Sequence, residues 1–98
     1  MKIEKNIKNG KVLLAIGGRL DTTTAPELEK ELETLLSEVK ELVFDMSELE
    51  YISSAGLRVL LKAQKTMNTQ GNMKVTHANE SIMEVFEITG FLDILTIE

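Results

Sequence analysis

The serine pair Ser53-Ser54 is the place in this chain where residue types and spacing could do chemistry. Ala55, Gly56 and Leu57 follow the pair, and the apolar pattern beyond them predicts a helix that begins there. A serine at a helix start commonly caps the helix, because its oxygen accepts a hydrogen bond from a free backbone amide. A phosphate on Ser54 would also suit this position, since free amides and the helix dipole favour an anion. The two roles are compatible, so Ser54 is a candidate phosphate acceptor as well as a candidate cap.

Two more polar side chains follow predicted strands and could share an edge with the serines. Asp21 follows the second predicted strand, and His77 ends the fourth. Because the carboxyl ends of parallel strands meet at one edge of a sheet, we expect Asp21, Ser54 and His77 at the same end of the molecule. A hydrolase is not predicted, because Ile52 stands where a nucleophile elbow requires glycine. One histidine among scattered carboxylates also predicts no metal site.

Gly56 is an unusual residue for the first turn of a helix. A glycine inside a helix lowers stability by about 1 kcal/mol relative to alanine. The glycine therefore indicates close approach by another backbone or by a partner at this point.

The elements that must position these side chains follow from hydrophobic patterning. Asn9-Gly10 between two strand-like runs predicts a β-hairpin. Strands and helices then alternate in the order β-β-α-β-α-β-α, with 46–52 as a connector and a short last strand over 94–97. Thr24 with Glu27, and Ser81 with Glu84, predict capping boxes at two helix starts. The fold class is therefore α/β, with a single mixed sheet of four to five strands that opens with a β-hairpin and is packed with three to four helices.

Composition bounds the kinds of function that are open to this chain. It has 98 residues, no cysteine, and a net charge of −5 from 11 Lys and Arg against 16 Asp and Glu. The acidic balance predicts no direct nucleic-acid or anionic-membrane partner, and no apolar run approaches the roughly 18 residues of a membrane span. No signal peptide is visible. We expect residues 1–98 to form a single cytoplasmic domain with no cofactor.

Four segments of the chain, in order, resemble the STAS domain of bacterial anti-sigma factor antagonists. Each segment is weak alone, but together they are specific and cover nearly the whole chain. The segments are Gly18-Arg19-Leu20-Asp21, Leu42-Val43-Phe44-Asp45-Met46-Ser47, Tyr51-Ile52-Ser53-Ser54-Ala55-Gly56-Leu57 and Phe86-Glu87-Ile88-Thr89-Gly90-Phe91.

The resemblance implies a role for individual residues around the serine pair. In that family the motif reads Asp-Ser-Ser/Thr/Ala-Gly-Leu, and the serine after the aspartate is phosphorylated by the anti-sigma factor, an ATP-dependent serine kinase. Ser54 takes the place of the phosphorylated serine, and Asp21 matches an acidic residue near it. Ser53 stands where the family usually has aspartate, which removes a negative charge beside Ser54 and leaves Ser53 as a competing hydroxyl.

The resemblance also implies partner switching rather than catalysis. The unmodified protein would bind its anti-sigma factor, phosphorylation of Ser54 would release it, and a PP2C-type phosphatase would reset the cycle. The expected contact residues are Asp21, Thr22, Thr23, Ser53, Ser54, Gly56 and Arg58. Two other roles stay open: a STAS subunit of a transporter, lipid-trafficking or stressosome-type complex, and a small-ligand or nucleotide sensor.

Overall fold

The computed structural model describes residues 1–98, in which four strands and three helices alternate after an opening hairpin. The strands are β1 (Lys2–Lys8), β2 (Lys11–Leu20), β3 (Glu41–Ile52) and β4 (Asn72–Thr76). The helices are α1 (Ala25–Leu35), α2 (Ser54–Gln70) and α3 (Glu80–Thr89), and a 3-10 turn over Phe91–Asp93 follows. None of these helices combines the length and the apolar character needed to cross a membrane.

The four strands form one mixed sheet in the order β1-β2-β3-β4. β1 and β2 are antiparallel, and their hairpin turns at Asn9 and Gly10, both of which have positive φ (50° and 79°). Such angles suit asparagine and glycine, which explains why this dipeptide specifies the turn. β2, β3 and β4 are parallel; β2 and β3 end side by side, whereas β4 ends earlier, beside Asp45 in the middle of β3. The predicted α/β fold with a mixed sheet is therefore confirmed.

The core lies on one face of this sheet. Leu14 of β2 pairs with Phe44 of β3, which pairs with Val75 of β4, and all three are fully buried beneath the helices. The residues between them point to the opposite face, where Leu13 is 39% exposed. This alternation of buried and exposed residues fixes which face of each strand the helices cover.

Two predicted elements differ in the structure. Residues 46–52 are the second half of β3 rather than a connector, because β3 continues beside β2 to its last pair, Leu20 with Ile52. Two shifts in the β2–β3 register place extra residues in β3, so Ser47, Glu48 and Glu50 face solvent and break the strand periodicity. The expected last strand over 94–97 is reduced to one isolated bridge between Val75 and Ile97.

The predicted capping boxes are also wrong. The hydroxyl of Thr24 does not cap α1; it accepts a hydrogen bond from the Asp21 amide (2.9 Å) and donates one to the Arg19 carbonyl (2.7 Å). α3 is capped by Asn79 rather than Ser81: the Asn79 side-chain oxygen accepts from the Ile82 amide at 2.9 Å, and its amide group donates to the Leu49 carbonyl at 3.0 Å. Asn79 can both cap its helix and hold it to β3, because its side chain carries an acceptor and two donors.

Gly56 sits where α2 meets the ends of β2 and β3. A Cβ atom at this position would lie 2.7 Å from Leu20 Cγ and 2.9 Å from Ile52 Cγ1. Both neighbours are buried and have little room to move. The close approach expected from the sequence is therefore made by side chains of this chain itself, and it lets the first turn of α2 rest directly on the sheet.

Gly56→Ala should lower the free energy of unfolding by up to about 2 kcal/mol, because overpacking against Leu20 and Ile52 costs about 1–3 kcal/mol and the gain in helix propensity returns only about 1 kcal/mol. Urea unfolding followed by circular dichroism measures the change. Lys65→Ala, at an exposed position of the same helix, is the control and should stay within about 0.5 kcal/mol of the unmodified chain. A Gly56→Ala protein more stable than the original would contradict this account of the packing.

Candidate functional site

The site is built where β2 and β3 end side by side. Leu20 pairs with Ile52 as the last residues of their strands, and the Ser53 amide donates a hydrogen bond to the Leu20 carbonyl at 2.9 Å. Asp21 leaves β2 at this point and Ser53 leaves β3. The structure therefore brings the Asp21 loop and the serine pair to one edge, as the strand order predicts.

The two serines have different environments. Ser53 is the N-cap of α2, with an extended backbone (φ −99°, ψ 177°), and its Oγ accepts from the Gly56 amide over a long 3.4 Å. Ser53 is half-buried, whereas Ser54 is the first residue of the helix and is exposed. The capping role thus belongs to Ser53, and the hydroxyl of Ser54 is the one that faces solvent.

Gly56 and Arg58 lie in the two turns that follow the serines. Gly56 is buried, so its direct contact with a partner remains a prediction, while its place in the structure is to hold the first turn close to the sheet. Arg58 is exposed one helical turn beyond Ser54. The guanidinium of Arg58 forms no ion pair within the chain, so it is free to meet an anion from outside.

The loop that follows β2 is ordered by the Asp21 carboxylate. Its Oδ1 accepts from the backbone amides of Thr23 (3.0 Å) and Thr24 (3.1 Å). The Thr24 amide contributes most to holding the pKa of Asp21 below its ordinary value; partial burial opposes this effect, and the Thr23 amide adds to it. Thr22 and Thr23 are left exposed at the tip of the loop. The loop therefore offers a fixed backbone and two free threonine side chains beside the serines.

Arg19 and Tyr51 belong to the same edge and were missed by the sequence reasoning. The Arg19 guanidinium stacks over the Tyr51 ring at 4.2 Å from its centre, and Arg19 Nε lies 3.6 Å from Asp21 Oδ2. A stacked arginine and an aromatic ring attract each other through the charge of the one and the quadrupole of the other. The pair forms only because the second register shift sets Arg19 opposite Tyr51, and no local sequence signal predicts that shift.

His77 does not join the serines. It follows β4 with a positive φ of 60°, and its Nδ1 lies 3.1 Å from Thr76 Oγ1 and 3.4 Å from Asp45 Oδ1. The contacts of the imidazole are thus made with β3 and β4 rather than with Ser54, and a Ser-His-Asp arrangement is not assembled. Nor do three or more histidine, aspartate or glutamate side chains come together as a metal cluster.

The chain is similar to known proteins in sequence and in fold. The STAS domain family matches residues 2–98. The chain is 35% identical to BtrV of Bordetella bronchiseptica, a protein named as an anti-sigma factor antagonist, over 99% of this chain and 85% of that protein.

Two solved structures share the fold. An anti-sigma factor antagonist from Mycobacterium paratuberculosis has a TM-score of 0.88 at 21% identity, over 98% of this chain and 83% of that one. The Bacillus cell fate determinant SpoIIAA in its phosphorylated form has a TM-score of 0.78 at 14% identity, over 99% of this chain and 91% of that one. From the match over residues 2–98, the 35% identity and the common fold, it follows that this chain belongs to the STAS domain family.

Proposed function

We propose that this chain is an anti-sigma factor antagonist that binds its anti-sigma factor through the edge carrying Asp21 and the serine pair, and is released when that anti-sigma factor, acting as a serine kinase, phosphorylates Ser54. The observation that carries the proposal is the exposed hydroxyl of Ser54 at the first position of α2, beside the ordered Asp21 loop. The proposed role is regulation by binding and not catalysis, in the cytoplasm, with residues 1–98 acting as one STAS domain.

Ser54 is preferred over Ser53 as the acceptor because the two hydroxyls differ in access. A kinase must bring its ATP to the oxygen, and the oxygen of Ser53 is turned toward the Gly56 amide in a half-buried position. Ser54 has no such engagement and lies on the outer side of the first turn. A PP2C-type phosphatase could reach a phosphate at the same exposed position, which makes the modification reversible.

Release follows from the electrostatics of one phosphate. A phosphoserine carries about −1.5 to −2 charges at pH 7. Burying that charge in an interface without a matched cation costs several kcal/mol. A loss of only ~3 kcal/mol already weakens binding more than a hundredfold, because each 1.4 kcal/mol is a factor of ten.

The phosphorylated chain should stay folded. The first amides of α2 have no acceptors inside the helix, and the helix dipole favours a negative charge at this end. The proposed contact residues are therefore kept in place in both states: Asp21, Thr22, Thr23, Ser53, Ser54, Gly56 and Arg58.

Incubating the chain with the anti-sigma factor kinase of the same organism and ATP should add one phosphate, located at Ser54 by mass spectrometry. Ser54→Ala should take up none, because the exposed acceptor is gone. Ser53→Ala is the matched control and should still take up one. Phosphate on Ser54→Ala, or recovery of transporter subunits instead of a kinase in a pull-down, would count against the proposal.

Ser54→Asp should weaken binding of the same kinase by roughly tenfold or more, since a carboxylate supplies part of the charge of a phosphate. Calorimetric titration measures the affinity, and circular dichroism should show an unchanged fold. A large loss of helix content would instead mean that Ser54 is needed chiefly for structure. Equal affinities of Ser54→Asp and the original chain would remove the electrostatic mechanism.

Asp21→Ala should weaken kinase binding several-fold and speed hydrogen exchange of the Thr23 and Thr24 amides, because those amides lose their shared acceptor. Asp21→Asn keeps an oxygen acceptor and should keep the loop ordered. In the original chain the depressed pKa of Asp21 makes its stabilisation of the loop complete above about pH 4 and lost as the pH falls through that pKa. Unchanged exchange in Asp21→Ala would show that the carboxylate does not order the loop.

A further inference from the structure

α2 carries a net positive charge in a protein that is acidic as a whole. The helix carries Arg58, Lys62 and Lys65 and no carboxylate, whereas the chain as a whole has a net charge of −5. All three cations are exposed and recur at spacings of three and four residues, which places them on one side of the helix. They continue the line that begins at Ser54, one turn before Arg58.

Two of the three cations lack a counter-ion within the chain. Lys62 Nζ lies 2.8 Å from a carboxylate oxygen of Glu29 on α1, and this pair raises the pKa of Lys62. Arg58 and Lys65 form no ion pair, although Lys2, Lys5, Lys11, Arg19 and Lys74 elsewhere in the chain each do. The positive charge of this helix is therefore only partly neutralised by the protein itself.

These cations line a groove between α1 and α2. The groove has a volume of about 520 Å³ and reaches from Thr22 at the loop tip to Lys65. Ala25, Ala55, Val59 and Leu61 supply an apolar lining between the charged side chains. Glu29 also lines the groove, but its carboxylate is paired with Lys62. Apolar surface beside the two unpaired cations, Arg58 and Lys65, suits a segment bearing both an apolar side chain and carboxylates.

We propose that this groove binds an acidic segment of the anti-sigma factor, whose carboxylates pair with Arg58 and Lys65. The inference rests on the proposed function and deepens it by assigning a second, charge-selective part to the same interface. Arg58 is the stronger determinant, because a guanidinium can hold a carboxylate through two parallel hydrogen bonds.

The position of Arg58 also explains why a single phosphate is effective. Arg58 is about 6 Å along the helix axis from Ser54, and this separation is shorter than the screening length of about 8 Å at physiological salt. Lys65 is about 16 Å away and lies beyond it. A phosphate on Ser54 therefore repels the acidic segment and competes for its nearest cation, while Lys65 is left unaffected.

Charge reversal tests the groove against the intact anti-sigma factor kinase of the same organism. Arg58→Glu should weaken binding roughly tenfold or more and Lys65→Glu several-fold. Both losses of affinity should shrink as salt rises from about 50 to about 300 mM, because salt screens the interaction between exposed charges. Lys8→Glu is the matched control: Lys8 is exposed, unpaired and at the hairpin end of the sheet, opposite Ser54, so its reversal should leave affinity unchanged. Thermal melting should show all three variants folded.

The outcomes separate this inference from the proposed function. Normal binding by Arg58→Glu and Lys65→Glu would overturn the groove assignment and leave the phosphorylation switch standing. An equal loss of kinase affinity in Lys8→Glu would mean that the overall charge of the chain, and not the groove, attracts the kinase. That result would also overturn the groove assignment. A loss of self-association in the variants without a change in kinase binding would make the groove a contact between copies. If the unmodified chain does not bind the kinase at all, both proposals fail.

Discussion

The close packing of Gly56 against the ends of β2 and β3 is the constraint on which the rest of the site depends. Leu20 and Ile52 close the parallel pair, the Ser53 amide bonds to the Leu20 carbonyl at 2.9 Å, and the first turn of α2 lies on these residues with no space for a Cβ. This contact sets the direction in which the helix leaves the sheet. It follows that Ser53 is turned inward as a cap while Ser54 is held outward.

A rigid edge of this kind favours an electrostatic switch over a conformational one. The Asp21 loop is held by its own backbone amides, and the start of α2 is held by the sheet, so neither needs to move to accept a charge at Ser54. In the proposed switch, the free energy of release would come from placing a near-dianion in the contact surface. In the proposed interface, the unpaired cations of α2 would add to this by favouring an acidic partner.

The sequence predicts the topology well where single residues have only one suitable conformation or where apolar runs are unbroken. Asn9-Gly10 specifies the hairpin through positive φ, and the alternation of strands and helices gives the parallel sheet and its functional edge. The second half of β3 was missed because its bulges expose polar residues and erase the periodicity. The cap of α3 was misassigned because Asn79 does not begin an S/T-x-x-E box, and its bond to Leu49 depends on contact across the fold.

The site was predictable to a similar extent. Asp21 and the serine pair lie together as predicted, because β2 and β3 end side by side, but the prediction for His77 is wrong, because β4 ends beside Asp45, well before the end of β3. The sequence indicates a close approach at Gly56 but not which residues make it. Leu20 and Ile52, whose side chains leave no space for a Cβ, belong to two strands that are distant in sequence. Arg19 and Tyr51 meet through a register shift, and the groove beside Arg58 depends on how α1 packs against α2.

One phosphate on Ser54 should weaken binding of the anti-sigma factor without changing the fold. The most direct measurement compares the affinity of the intact anti-sigma factor kinase for the unmodified chain and for the chain phosphorylated stoichiometrically at Ser54, with amide NMR spectra of both. We expect affinity to fall more than a hundredfold, equivalent to about 3 kcal/mol, while shift changes stay within the first turn of α2 and the Asp21 loop. Equal affinities, or spectral changes throughout the sheet, would contradict the account.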